Sequence, residues 1–120
     1  MSGKSLFALA LLAALYYVSE YVFEPMHLYY ELPWIDMPMH VIGGAASGIF
    51  FYFLSNRHHG EALKISLVAT LIVAILWEFY EYYIDFANVN EWNGWGDTLS
   101  DIALGLVGAY IAISFSKKST

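Results

Sequence analysis

Four long apolar blocks, residues 6–23, 37–54, 63–83 and 99–115, limit what this chain can fold into more than any other feature. Each is close to the ~20 residues a helix needs to cross ~30 Å of hydrocarbon. The connections between them are short, which leaves no room for a water-soluble domain. Composition agrees: 13% of residues are charged and 59% hydrophobic, whereas soluble domains carry roughly 25% charged residues. The expected fold is all-α, a polytopic four-transmembrane-helix bundle forming a single domain over residues 1–120. Its helices are expected at about 5–23, 37–55, 63–86 and 97–116.

The first block reads as a retained helix and not a cleaved leader. Lys4 precedes it, but Tyr16, Tyr17, Glu20 and Tyr21 fill the region where a small-residue cleavage site would lie. Glu24-Pro25 ends that helix, because proline disfavours helical geometry at the residue before it. The aromatic segment 26–35 is expected to lie along the membrane interface. Asp36, followed by Met37-Pro38, is placed to cap the second helix. With no cysteine, disulfides and thiolate ligands are excluded.

Charge placement sets the orientation. With the N-terminus inside, Lys4, Arg57, Lys64, Lys117 and Lys118, which are all the Lys and Arg in the chain, fall on the cytoplasmic side. The positive-inside rule therefore predicts N-in, C-in. Trp34, Trp77, Trp92 and Trp95 then lie at the outer interface, as an aromatic belt does. Ten of the eleven acids fall in the outer half, Glu61 being the exception. The expected partner is the lipid bilayer of a prokaryotic cytoplasmic membrane, with a membrane-protein partner or a second copy left open. A net charge of −6 fits no nucleic-acid partner.

Each helix carries a polar or small stripe at helical spacing. The stripes are Ala10, Ala13, Tyr17, Glu20, Glu24; Asp36, His40, Gly44, Ser47, Gly48; Thr70, Ala74, Glu78, Glu81, Asp85; and Asp97, Asp101, Gly105, Gly108, Ala112. Lipid-facing carboxylates are costly, so these faces are expected to point into the bundle. Gly44-x3-Gly48 allows close helix contact. At ~1.5 Å rise per residue, His40 and Asp101 lie ~6 Å below Asp36 and Asp97, while Glu81 and Glu78 lie ~6 to 11 Å below Asp85.

Carboxylates and a histidine projecting inward from several helices are the ligand types of di-metal carboxylate bundles. Asp36-x3-His40, Glu78-x2-Glu81 and Asp97-x3-Asp101 supply them here, with Glu20 and Asp85 as additional candidates. The spacing differs from the Glu-x-x-His scheme, so the analogy extends to ligand type alone. So many acids with no basic residue beside them repel one another at low dielectric unless protons or cations intervene. Oxygen ligands with one imidazole suit Mn²⁺, Fe²⁺ or Zn²⁺, and an all-oxygen subset suits Ca²⁺ or Mg²⁺. Simpler roles compete: Asp36 and Asp97 as helix caps, Glu24, Glu31 and Glu91 as solvated loop acids, His58 and His59 as turn residues, and His27 at the interface.

The runs IDMPMHVIGG, LWEFYEYYID and GDTLSDIALGLVGA resemble the YjdF-type small integral membrane proteins, which share Asp-x3-His, Glu-x2-Glu and Asp-Thr-x2-Asp followed by Gly-Ala. The VanZ-like proteins are similar more distantly; Asp101 stands where their late motif has Asn. The resemblance covers roughly residues 36–109. It implies that Asp36, His40, Glu78, Glu81, Asp97 and Asp101 act together, and it carries no activity. Three functions remain open at this stage. The first is a metal-dependent hydrolase at the outer leaflet. The second is a cation-binding or transport element, and the third an accessory subunit of a membrane complex without catalysis.

Overall fold

The computed structural model describes residues 3–23, 26, 35–55, 61–88 and 95–118. Among them the chain forms four helices and no strand. Helix α1 spans Gly3–Val18 and continues as a π-helical turn over Ser19–Phe23. Helix α2 is Asp36–Leu54, α3 is Ala62–Asn88 and α4 is Trp95–Lys118. Each contains a stretch long and apolar enough to cross a membrane: Gly3–Phe23, Asp36–Leu54, Ala62–Tyr83 and Thr98–Ser116. At 27 residues, α3 rises ~40 Å and so outreaches a hydrocarbon layer of ~30 Å. Apart from Met26 and Ile35, the expected interfacial segment lies outside the described residues.

Successive helices alternate in direction. Lys4 Nζ lies 4.9 Å from the centre of the Phe53 ring, which brings the start of α1 to the end of α2. Tyr16 of α1 meets Trp77 and Tyr80 of α3, so those two helices run the same way. Helix α2 packs on all three others, and most extensively on α4. The α2–α4 pair is parallel, with Gly44 against Gly105 and Gly48 against Ala109. A Cβ added at Gly44 or Gly108 would overlap the backbone of Gly105 or Val41, and one at Gly48 would come within 2.7 Å of the Ala109 Cβ. These are among the glycines the bundle requires, because they bring two backbones together.

The interior is built from small side chains. Ala8, Ala46, Ala62 and Ala109 are buried, together with Ser5, Ser47, Ser66 and Thr70; Ile113 is the large exception. Small residues let helices approach where lipid, itself apolar, provides no hydrophobic drive between them. The Ser66 hydroxyl donates to the Ala62 carbonyl at 2.6 Å, so its polarity is met within its own helix. Large apolar side chains point outward, Phe7, Leu76, Phe79, Leu99 and Phe115 among them, as a lipid-facing surface requires.

One expected stripe is corrected. On α1, Ala10, Ala13 and Tyr17 are exposed, while Ser5, Ala8 and Ser19 are buried and Leu12 and Leu15 face a cavity. Both sets follow the same 3–4 spacing, and the set that packs is turned away from the expected one. Tyr17 stacks on Tyr21 along the outer face, with ring centres 5.2 Å apart.

Candidate metal centre

The parallel α2–α4 seam fixes the first half of the site. His40 lies one turn before Gly44, and Asp101 one turn before Gly105, so the glycine contact holds these two side chains at one level. His40 Nε2 is 3.2 Å from Asp101 Oδ2 and 3.2 Å from Asp36 Oδ1. Asp101 is only 3% exposed. The expected cap role of Asp36 is corrected: Ile35 occupies the N-cap position with no side-chain cap bond. Asp36 instead lies in the first turn, where i,i+4 spacing turns its carboxylate onto the imidazole.

Helix α3 supplies the second half. Glu78 and Glu81 leave the face that meets α2 and α4. Trp77 Nε1 donates to Glu81 Oε1 at 2.7 Å, again at i,i+4 spacing. The indole is itself held by an edge contact from Tyr16, with ring centres 6.1 Å apart, and by the neighbouring Tyr80 ring at 5.2 Å. Glu78 Oε1 is buried and has no hydrogen-bond partner among the described residues.

One ligand-type atom from each of His40, Glu78, Glu81 and Asp101 lies within 4.8 Å of the others. Two ligands on opposite sides of an ion at ~2.1–2.4 Å are ~4.2–4.8 Å apart, so these atoms already span no more than one coordination sphere. Three helices converge on it. Neither 5–56 nor 65–116 contains a Lys or Arg, and Lys4 and Lys64 sit at the opposite end of the bundle. The charge of the carboxylates is therefore met by His40 alone among the described side chains.

Of the residues singled out in the sequence, His40, Glu78, Glu81 and Asp101 come together, and Asp36 joins through His40. Glu20 lies half-buried on the π-helical turn and is not one of the converging four. Asp85 and Asp97 are carried by α3 and α4, but their side chains lie outside what the structure describes.

A cavity of ≈ 140 Å³ lies beside this cluster, lined by residues of all four helices. The family model described as "Predicted membrane protein (DUF2238)" matches residues 3–118. The chain belongs to this family. Its description places members in a membrane and states no activity. No curated protein and no solved structure matches the chain. The site therefore has to be understood from its own chemistry.

Two of its features escaped the sequence reading. Trp77 read as part of an interfacial belt, whereas it orients a carboxylate; Trp77-x3-Glu81 was the available signal. Gly43 carried no signal, yet it lines the cavity beside His40.

Proposed function

We propose that this protein holds a divalent cation at the outward end of its bundle and uses it for metal-assisted hydrolysis at the outer leaflet. The observation that carries the reading is the convergence of His40, Glu78, Glu81 and Asp101 within 4.8 Å, three carboxylates and an imidazole with no basic side chain beside them. One nitrogen and several oxygens favour Mn²⁺, Fe²⁺ or Zn²⁺ over Ca²⁺. In the ion-free arrangement one proton on Nε2 is shared between Asp36 and Asp101. A cation takes over that role with a larger charge, and proton release accompanies its binding. Such an ion lowers the pKa of bound water and polarises a substrate carbonyl or phosphoryl oxygen. Asp36, which is not among the converging four, is placed to serve as general base.

The orientation belongs to the same reading: N-in, C-in in a prokaryotic cytoplasmic membrane, on the positive-inside argument. The YjdF-type resemblance fits it in part: of the residues it implies act together, His40, Glu78, Glu81 and Asp101 converge, Asp36 joins through His40, and the Asp97 side chain lies outside what is described. Transport is disfavoured by a specific feature. Below His40 and Glu78 the inward-facing residues are Ser47, Thr70, Gly44 and Ala74, with no further acid.

The test is thermal unfolding of purified protein in detergent after chelation, with Mn²⁺, Zn²⁺ or Ca²⁺ added back. A bound ion stabilises by mass action, about 2.7 kcal/mol at a hundredfold excess over Kd. The gain should disappear in Asp101→Asn and Glu78→Gln and survive in Glu91→Ala. Protein that binds no ion and shows no response would sink the proposal.

A further inference from the structure

The cavity beside the cluster has a polar end and largely apolar walls. Asp36, His40, Glu81 and Asp101 line one end of it, and Leu12, Leu15, Met39, Val73 and Ala74 line the body. Its floor is formed by Ser47 and Thr70, about 10 Å below His40 by helix rise. The void is local. The α2–α4 seam a few ångströms away is closed to backbone contact, whereas a Cβ added at Gly43 meets nothing within 4 Å. Gly43 and Ala74 thus keep open a space that any larger residue would fill. A cavity of ~150 Å³ with apolar walls admits a benzene-sized group, so ≈ 140 Å³ takes about six carbons.

We infer that this cavity receives the apolar chain of an amphiphilic ligand whose polar head sits at the carboxylate–histidine cluster. A purely polar ligand would leave the Leu, Met and Val walls unmatched, and a purely apolar one would desolvate the acids at the polar end. The inference deepens the proposed hydrolytic reading and rests on it for the metal-bound head alone. The chain pocket stands on the cavity itself.

The experiment measures affinity by calorimetry for protein in nanodiscs loaded with Zn²⁺, using acetohydroxamate and hexanohydroxamate as metal-binding heads with short and long chains. Burying four more methylenes should tighten binding about a hundredfold in the wild type. In Gly43→Leu and Ala74→Leu that gain should vanish while acetohydroxamate affinity stays unchanged, which also shows that the variants are folded. Partition into lipid is the same for all three proteins and cannot mimic this pattern. Equal affinities for the two probes in the wild type, or a gain that persists in both filled variants, overturns the inference. If neither hydroxamate binds because no Zn²⁺ is held, the metal reading falls by itself. Ethylamine and hexylamine, whose ammonium meets the carboxylates without a metal, then apply the same criterion to the chain pocket.

Discussion

Adjacent glycines on α2 should respond oppositely to one methyl group. Gly43 has open space where a Cβ would lie, while at Gly44 that atom would overlap the backbone of Gly105. The neighbour at Gly44 is main chain and cannot rotate away, so the helices must part. At Gly48 the same change meets the Ala109 Cβ at 2.7 Å, against 3.4 Å or more for ordinary contact, which already demands about 0.7 Å. At Gly44 the demand is larger. His40 and Asp101 sit one turn along from this contact, with Nε2 and Oδ2 3.2 Å apart. Opening the seam by about 1 Å takes that pair past 4 Å, where no hydrogen bond remains. Overpacking of this kind costs about 1–3 kcal/mol. The gain from replacing glycine in a helix, about 1 kcal/mol, offsets part of it at Gly44 and stands alone at Gly43.

Gly43→Ala should therefore unfold at or above the wild-type temperature and hold metal as the wild type does. Gly44→Ala should unfold earlier and lose about tenfold or more in metal affinity, although it touches no ligand. Thermal unfolding read by circular dichroism, with metal titration on the same samples, gives both quantities. If the two variants behave alike, the seam does not set the site geometry and the reasoning fails.

Trp77→Phe removes the donor to Glu81 while keeping an aromatic ring against Tyr16; metal affinity should drop about 10- to 100-fold with little loss of thermal stability, measured by metal titration. On acidification the metal-dependent stabilisation should shrink, because the ligands must be deprotonated to bind. Ion-free protein should instead become more stable over the same range, because protonation relieves repulsion among Glu78, Glu81 and Asp101; unfolding at several pH values with and without chelator separates the two, and a metal gain that grows towards acid would contradict the ligand assignment. Cysteines introduced at Asn56 and Asn93 should react with impermeant reagents from opposite sides of the membrane, Asn93 from outside; reaction of both from one side would overturn the orientation.

The fold class was legible because four blocks of membrane-spanning length and short connections admit little else. The inner faces of α2, α3 and α4 were legible for a different reason. On those helices acids or glycines mark one side, and neither belongs against lipid: Asp101 and Gly105 on α4, His40 and Gly44 on α2. Helix α1 lacks such marks over most of its length. Its packed face, Ser5, Ala8, Leu12, Leu15 and Ser19, differs from its lipid face by a few small hydroxyls, and lipid is as apolar as the interior. Hydrophobicity therefore could not choose between two stripes of equal spacing. Asp36 misled for a local reason: the residue types that cap a helix also pair with a histidine one turn on, and only geometry decides which they do. The cavity had no sequence signature, because it arises from side chains of four helices that fail to meet.

The distribution of residues along the bundle axis argues for a site that works from one face. At the end that carries Lys4 and Lys64, the interior is Ser5, Ala8, Ala62, Ser66 and Ile113, all fully or nearly fully buried. None of these buried side chains is a strong ion ligand. At the other end a cavity remains beside the acids, lined in part by α1. A carrier needs its site to be reached in turn from both sides, which calls for polar groups or a hinge on each. Here the carboxylate–histidine cluster and the cavity beside it lie toward one end of a closed, small-residue seam. The same glycines that press α2 and α4 together also place His40 against Asp101, so loosening the seam to let an ion through would dismantle the site that binds it. Tight packing and the cluster are thus one structural commitment, and it favours chemistry at a single membrane surface over passage between two.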